Sequence, residues 1–156
     1  MLGRSRGGLS TKLHLAFDRR GRPLAVVLTP GQRHDSTQLG PVLAAIRVPR
    51  SGAGRPRTRP GHLIADKGYA YPPCRALRRR GIPHTIPERS DQRDRRAHRP
   101  GRKPAFDPVT YRRRTVGERC VNRLKPWRGL ATCVEQRAAN FRAMVVIAAL
   151  VIWLDM

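Results

Sequence analysis

The chain has 156 residues, of which 33 are Lys or Arg and only 10 are Asp or Glu, so its formal net charge at pH 7 is +23. This length suits a single domain with one hydrophobic core. Three scattered cysteines without a C-x-x-C pair argue against a disulfide framework and against a structural zinc site. So large an excess of cations is typical of nucleic-acid-binding proteins, because phosphate groups supply the compensating negative charge.

The sequence has no segment typical of a secreted or membrane protein. Residues 1–6 lack the apolar region of a signal peptide, so we expect a cytoplasmic protein whose cysteines stay reduced. The longest apolar run, 143–154, would form a helix of about 18 Å, well short of the roughly 30 Å of a hydrocarbon core. We therefore predict a buried core helix there and no association with a membrane.

Short apolar runs separated by turn residues indicate an α/β fold. The first two runs flank a turn at Asp18–Gly21, as in a β-hairpin. Later apolar residues recur at helical spacing. In chain order the pattern predicts strands over 13–17 and 24–28, a helix over 36–46 capped by Asp35 or Ser36, a strand over 62–66, a helix over 72–80, a strand over 84–87, and helices over 107–124 and 140–154. We expect the strands to form one mixed sheet flanked by helices.

Two basic segments interrupt this single predicted domain, which spans residues 1–156. Residues 49–60 consist mainly of Pro, Gly, Arg and Ser without periodicity, which predicts an exposed loop. Residues 88–104 are rich in Arg and Asp and nearly free of large apolar side chains. We expect that second segment to be mobile, or ordered only on a polyanion.

Asp66 is the first candidate for a functional acid. It follows the apolar run Leu63–Ala65 and precedes Lys67-Gly68-Tyr69. In open α/β sheets, ligands bind at the carboxyl ends of strands, so an acid there can point into a cleft. A cap of a helix or turn is the alternative role for this side chain.

Glu118 is the second candidate. Tyr111, Arg114, Glu118 and Lys125 form the pattern Y-x2-R-x3-E-x6-K, whose offsets bring the four side chains near one face of a helix. The alternative is an ordinary surface ion pair between Arg114 and Glu118, which would contribute only a few tenths of a kcal/mol.

These motifs resemble the C-terminal part of a bacterial insertion-sequence transposase of the DDE type. The matching stretches, in order along nearly the whole chain, are Gly7–His14, Gly31–Ser36, Ala65–Tyr69, the Y-x2-R-x3-E-x6-K run and Arg123–Leu130. The resemblance implies an RNase H-like fold and Mg²⁺-dependent, or Mn²⁺-dependent, cleavage and transfer of DNA strands at element ends and target.

The resemblance also implies roles for individual residues. Asp66 is similar to the family's second catalytic Asp and Glu118 to its catalytic Glu, so both are expected metal ligands. Tyr111, Arg114 and Lys125 match signature residues that contact DNA or order the acid. Two such carboxylates can ligate Mg²⁺ through oxygen, and a metal pair can clamp the attacking and leaving oxygens of a phosphodiester.

The family's first strand, with its first catalytic Asp, lies upstream of the segment where this sequence starts. Asp18 is expected to be a turn residue and Asp35 a helix cap, so neither replaces the missing ligand. We therefore expect a catalytic domain that is incomplete alone, served by an upstream-frame partner or a homo-oligomer, or else a truncated remnant. A non-catalytic DNA-binding fragment that inhibits the full enzyme is the main alternative. A basic ribosomal-type protein is the third, but it leaves Asp66 and the Glu118 pattern unexplained.

Overall fold

A computed structural model describes residues 3–5, 8–70, 73–98, 100–101, 106–131 and 137–155. The strands are β1 (Gly3–Ser5), β2 (Gly8–Phe17), β3 (Pro23–Pro30), β4 (Leu63–Ile64) and β5 (His84–Thr85). The helices are α1 (Leu39–Ala45), α2 (Pro73–Arg79), α3 (Ser90–Ala97), α4 (Pro108–Arg112), α5 (Thr115–Leu124), α6 (Arg128–Ala131) and α7 (Ala138–Leu154). Short 3₁₀ turns at Asp35–Gln38 and Lys67–Tyr69 precede α1 and α2. The α/β class predicted from the sequence is confirmed.

The predicted hairpin is the longest sheet element. Strands β2 and β3 pair antiparallel, with Leu13 opposite Leu28. The turn forms because the Asp18 carboxylate accepts hydrogen bonds from the backbone N–H groups of Arg20 and Arg22, at 2.9 and 3.0 Å. Gly21 takes a φ of +83°, a conformation that favours glycine. Asp18 is thus the turn residue that the sequence predicts.

The strands do not form the single mixed sheet that the sequence predicts. Strands β1, β2 and β3 make an antiparallel sheet, while β4 and β5 make a separate parallel pair, as far as the described residues go. The second pair is only two residues long in each strand, so the predicted strands 62–66 and 84–87 are much shorter than expected.

Two apolar clusters cover the two faces of β2. Ala16 packs against a cluster that contains Leu43 of α1, whereas Leu13 and Leu15 pack against a cluster that contains Leu124 of α5. Alternate residues of a strand point to opposite faces of its sheet. It follows that α1 and α5 lie on opposite sides of the hairpin.

The C-terminal helix is only half buried, which corrects the prediction of a core helix. Helix α7 packs on β3, α5 and α6 through one face, with Val145 and Ala148 fully buried. Its other face stays exposed because no described element covers it, and it carries Val146, Ile147, Leu150, Trp153 and Leu154. No helix among the described residues is long and apolar enough to cross a membrane.

Three further predictions need correction. The helix expected over 107–124 is two helices, since Arg113 and Arg114 donate to carbonyls only three residues back and so tighten the chain between α4 and α5. The segment 88–104, expected to be mobile or ordered only on a polyanion, contains the helix α3, in which Arg96 forms an ion pair of 2.5 Å with Glu88. Asp35 does not cap α1; its carboxylate instead accepts from Lys12 at 2.9 Å.

Other predictions can be compared with the structure only where their residues are described. Residues 50–59 are exposed, as predicted for a basic loop. Helix α2 ends before Gly81, whose φ is +61°, while the predicted start at Pro72 lies outside the described residues. Cys74 and Cys120 are free thiols, and Cys133 also lies outside the described part of the chain.

Candidate functional site

Asp66 stands where β4 gives way to a 3₁₀ turn. Its Oδ1 accepts a hydrogen bond of 2.7 Å from the backbone N–H of Lys67, so it caps that turn. Its side chain remains 56% exposed, and Oδ2 faces the guanidinium of Arg114 at 4.0 Å. Asp66 therefore caps the turn through Oδ1 and still has a second carboxylate oxygen, Oδ2, that is accessible.

Glu118 lies in the first turn of α5, across from Asp66. Its Oε1 accepts a hydrogen bond of 2.6 Å from Nη2 of Arg114, four residues earlier. Arg114 thus contacts two carboxylates that come from segments far apart in the sequence. The structure brings Asp66 and Glu118 to the same guanidinium.

The other two residues of the pattern border the same site. The guanidinium carbon of Arg114 lies 5.8 Å from the ring centre of Tyr111, within the range of a cation–π contact. Lys125 follows α5 and lines the cavity that Asp66, Arg114 and Glu118 also line. All four residues of Y-x2-R-x3-E-x6-K therefore gather here, although the predicted continuous helix is broken between them.

A buried polar chain beside Asp66 is absent from the sequence-based predictions. His14 is 4% exposed; its Nδ1 lies 3.1 Å from the hydroxyl of Tyr69, and its Nε2 lies 2.9 Å from Oγ1 of Thr29. Burial lowers the pKa of His14, which favours the neutral form of the ring. Burial, with smaller effects from Asp35 and Asp66, raises the pKa of Tyr69 to about 12. A histidine between two leucines of a strand was the signal that could have revealed this chain of contacts.

The site opens into a cavity of about 470 Å³ between β2 and β4. Its walls include residues of β2, the run before Asp66, and apolar side chains of α1 and α5. The carboxylates and Arg114 are among the polar groups that border it. Such a mostly apolar cavity with a few polar groups is the usual form of a binding site.

The two carboxylates fit part of a magnesium site. Mg²⁺ takes hard oxygen ligands, and in phosphate-processing sites it is commonly held by one or two carboxylates together with substrate and water. Asp66 and Glu118 offer such oxygens on exposed side chains. Within the described ranges no group of three or more His, Cys, Asp or Glu side chains could hold a metal ion, so this donor set is incomplete.

A second, wider cleft of about 1400 Å³ lies between α2 and α3. Arg75 and Arg78 of α2 and Arg95 of α3 line it, all three exposed. No carboxylate of the described residues lies within ion-pair distance of these three guanidinium groups. Acids also line the cleft, but Glu88 and Asp91 pair with Arg96 and Arg89.

The sequence matches a family of transposases. Residues 3–154 match the family described as the transposase DDE domain. The chain is 42% identical over 80 residues to a transposase of insertion sequence element IS402 from Burkholderia cepacia, a match that covers 51% of this chain and only 38% of that relative. It is 29% identical over 151 residues to a transposase of element IS6501 from Brucella ovis, covering 94% of this chain and 99% of the relative. No solved structure matches the chain.

Proposed function

The chain belongs to the transposase DDE domain family, and from that premise we propose that it carries part of an active site that cleaves and joins DNA strands during transposition. One observation carries this proposal. Asp66 and Glu118, from a strand end and a distant helix, converge on the guanidinium of Arg114. Two accessible carboxylates that converge can coordinate Mg²⁺ or Mn²⁺ through oxygen.

In this proposal Asp66 and Glu118 hold the divalent cation. A cation held there would supply Lewis-acid chemistry for the attacking and leaving oxygens of a phosphodiester. Arg114 keeps the two carboxylates close by offsetting their mutual repulsion, and Tyr111 stacks near that guanidinium and limits its movement. Lys125 lines the cavity, and we assign it the role of contacting a DNA phosphate.

Among the described residues, the proposed site has only two of the three carboxylates that the family resemblance implies. Asp18 is engaged by Arg22 in the hairpin turn, and Asp35 is paired with Lys12, so each already has a structural role. In the proposal the domain is RNase H-like without its first strand, and the third acid comes from polypeptide other than the described residues. The separation of β2 from β4 by a cavity supports this interpretation.

DNA is the proposed substrate, and we propose that it contacts the protein surface beyond the carboxylate site. The net charge of +23 supplies a strong, sequence-independent attraction to phosphate. The cleft lined by Arg75, Arg78 and Arg95 is the best candidate for a second contact with the DNA backbone, because these guanidinium groups have no acidic partner among the described residues.

Nicking of supercoiled plasmid DNA in Mn²⁺ tests the proposal. We expect slow nicking by the chain alone, because two carboxylates hold the metal weakly, and loss of nicking in Asp66→Asn and in Glu118→Gln. Asp94→Asn, at an exposed acid of α3 that lines neither cavity, is the matched control and should nick at the rate of the unaltered chain.

A non-catalytic DNA-binding fragment, able to inhibit the complete enzyme, is the second candidate. The incomplete set of carboxylates favours it. Tight plasmid binding without any nicking in Mn²⁺ or Mg²⁺ would support this function and count against the catalytic one. Nicking that persists in both carboxylate variants would contradict the proposed site itself.

A further inference from the structure

Two polar side chains on one face of β2 reach the two 3₁₀ turns. Lys12, His14 and Ala16 alternate along the strand, so they point to the same face, the one that α1 covers. Nζ of Lys12 lies 2.9 Å from Oδ1 of Asp35 in the first turn. Nδ1 of His14 lies 3.1 Å from the hydroxyl of Tyr69 in the second. One strand of the hairpin therefore contacts both turns through polar groups.

The second turn is the one that carries Asp66, and we call Lys67–Tyr69 with this cap the Asp66 turn. The backbone N–H of Tyr69 donates to the carbonyl of Asp66 at 2.9 Å, and the N–H of Lys67 donates to Oδ1 of Asp66 at 2.7 Å. The N–H of Ala70 donates to the carbonyl of Lys67 at 3.1 Å. Because these bonds connect the two ends of the turn, a displacement of Tyr69 is passed on to Asp66.

The ring of His14 is held from two sides. It is buried, and a buried polar group needs hydrogen-bond partners in place of water. Tyr69 is the partner of Nδ1 and Oγ1 of Thr29 is the partner of Nε2, the latter at 2.9 Å. A neutral imidazole donates from one nitrogen and accepts at the other, and a hydroxyl can do either, so both contacts can form at once.

This polar contact supplies something that apolar packing does not. The ring of Tyr69 packs against the cluster that contains Leu43, but burial of apolar surface is not directional. A hydrogen bond is directional, and a buried polar network in which every group has a partner makes the packing around it rigid. The bond to His14 therefore fixes where the Tyr69 hydroxyl lies relative to β2.

We propose that His14 and Tyr69 are positioning residues for Asp66. The contact between their side chains anchors the Asp66 turn to the hairpin and so keeps the Asp66 carboxylate facing Arg114 and Glu118. The value of this position for binding a cation rests on the proposed function, whereas the link from His14 to the turn is a property of the fold. Measurements without metal and with metal therefore separate the two.

The first experiment is amide hydrogen exchange of the full chain without metal. Tyr69→Phe removes the hydroxyl and keeps the ring in the core. Thr29→Val is the matched control, because it removes the hydroxyl on the other side of the same imidazole. We expect the amides of Tyr69 and Ala70 to exchange roughly three- to tenfold faster in Tyr69→Phe, as loss of one hydrogen bond predicts, and at an unchanged rate in Thr29→Val.

The second experiment is a Mn²⁺ titration followed by paramagnetic broadening. We expect the dissociation constant to rise roughly three- to tenfold in Tyr69→Phe, because affinity falls with the fraction of molecules in the competent arrangement. His14→Leu should give the same rise, and the double variant should lose no more than either alone, since both changes break one contact. Thr29→Val should stay within about twofold of the unaltered chain, even where urea unfolding shows a similar loss of stability.

The possible results divide clearly. Unchanged exchange in Tyr69→Phe, or an equal increase in Thr29→Val, would overturn the proposal. Mn²⁺ affinity that falls equally in Tyr69→Phe and Thr29→Val would overturn it as well, because the effect would then follow stability and not the contact with the turn. Absence of Mn²⁺ binding by the unaltered chain would contradict the proposed function instead, and the exchange rates would still decide whether His14 anchors the Asp66 turn.

Discussion

Arg114 shows why the role of a single residue depends on both its local and its distant contacts. Its bond to Glu118 is an exposed i, i+4 ion pair, a type that contributes about 0.3–0.5 kcal/mol to stability. An ion pair this weak adds little to stability. The same guanidinium also faces Asp66, which comes from another element. Under the proposed function, Arg114 keeps the two carboxylates close until a cation takes its place as their partner.

His14 provides a prediction for pH. Burial lowers its pKa in the folded protein, Lys12 adds to that effect and Asp35 opposes it. The unfolded chain therefore takes up a proton near the ordinary pKa of about 6.5 while the folded chain does not. Stability should fall as the pH drops through 6.5 and continue to fall until the folded pKa is reached.

Urea unfolding at pH 7.5 and at pH 5.5 measures this effect. His14→Gln should lose less stability between the two pH values than the unaltered chain, even though it starts less stable. His98→Gln, at an exposed histidine, is the control and should show the same pH dependence as the unaltered chain. An unaltered pH dependence in His14→Gln would show that His14 is not held neutral by the fold.

At the scale of elements, the packing of α5 against the hairpin depends on one glycine. Gly117 is buried, and a Cβ there would overlap the ring of Phe17 in β2. We expect Gly117→Ala to destabilise the protein by about 1–3 kcal/mol, as overpacking usually does. Gly40→Ala in α1, where a Cβ would meet nothing within 4 Å, should instead stabilise it by about 0.5–1 kcal/mol. Thermal unfolding of the two variants compares them, and equal shifts would contradict the described packing of α5.

Elements held by contacts between residues close in the sequence could be predicted, whereas contacts between distant segments could not. The hairpin and the contact between Arg114 and Glu118 follow from local rules, namely alternation, turn chemistry and i, i+4 spacing. Helix α3 (Ser90–Ala97) was missed because it has ion pairs but no buried apolar residue. The contact between Asp66 and Arg114 joins distant segments, and no local pattern contains it; only the family resemblance indicated that the two acids belong together.

At the scale of the whole molecule, the proposed binding of DNA should depend on charge. Removing one side chain that neutralises a phosphate should lower the slope of log K against log salt by about 0.9. We expect Arg75→Gln with Arg78→Gln to reduce this slope by roughly one to two, because both line the cleft between α2 and α3. Fluorescence anisotropy of a labelled duplex over a salt series measures it.

The matched control for this prediction is Arg19→Gln with Arg20→Gln, which removes the same charge from the exposed hairpin turn. If DNA binds at the cleft, the control should change the slope less than the cleft variant does. Equal changes in both double variants would mean that DNA responds to the net charge of +23 alone and that the cleft is not a specific binding surface.

The most direct measurement of the central claim is Mn²⁺ binding to the full chain, followed by paramagnetic broadening of NMR signals in a double-mutant cycle. If Asp66 and Glu118 hold one cation together, broadening should centre on both residues. Asp66→Asn and Glu118→Gln should each abolish most of it, and the double variant should lose little more than either alone. Broadening that persists around Glu118 in Asp66→Asn, or losses that simply add, would show two independent surface carboxylates and contradict a shared metal site.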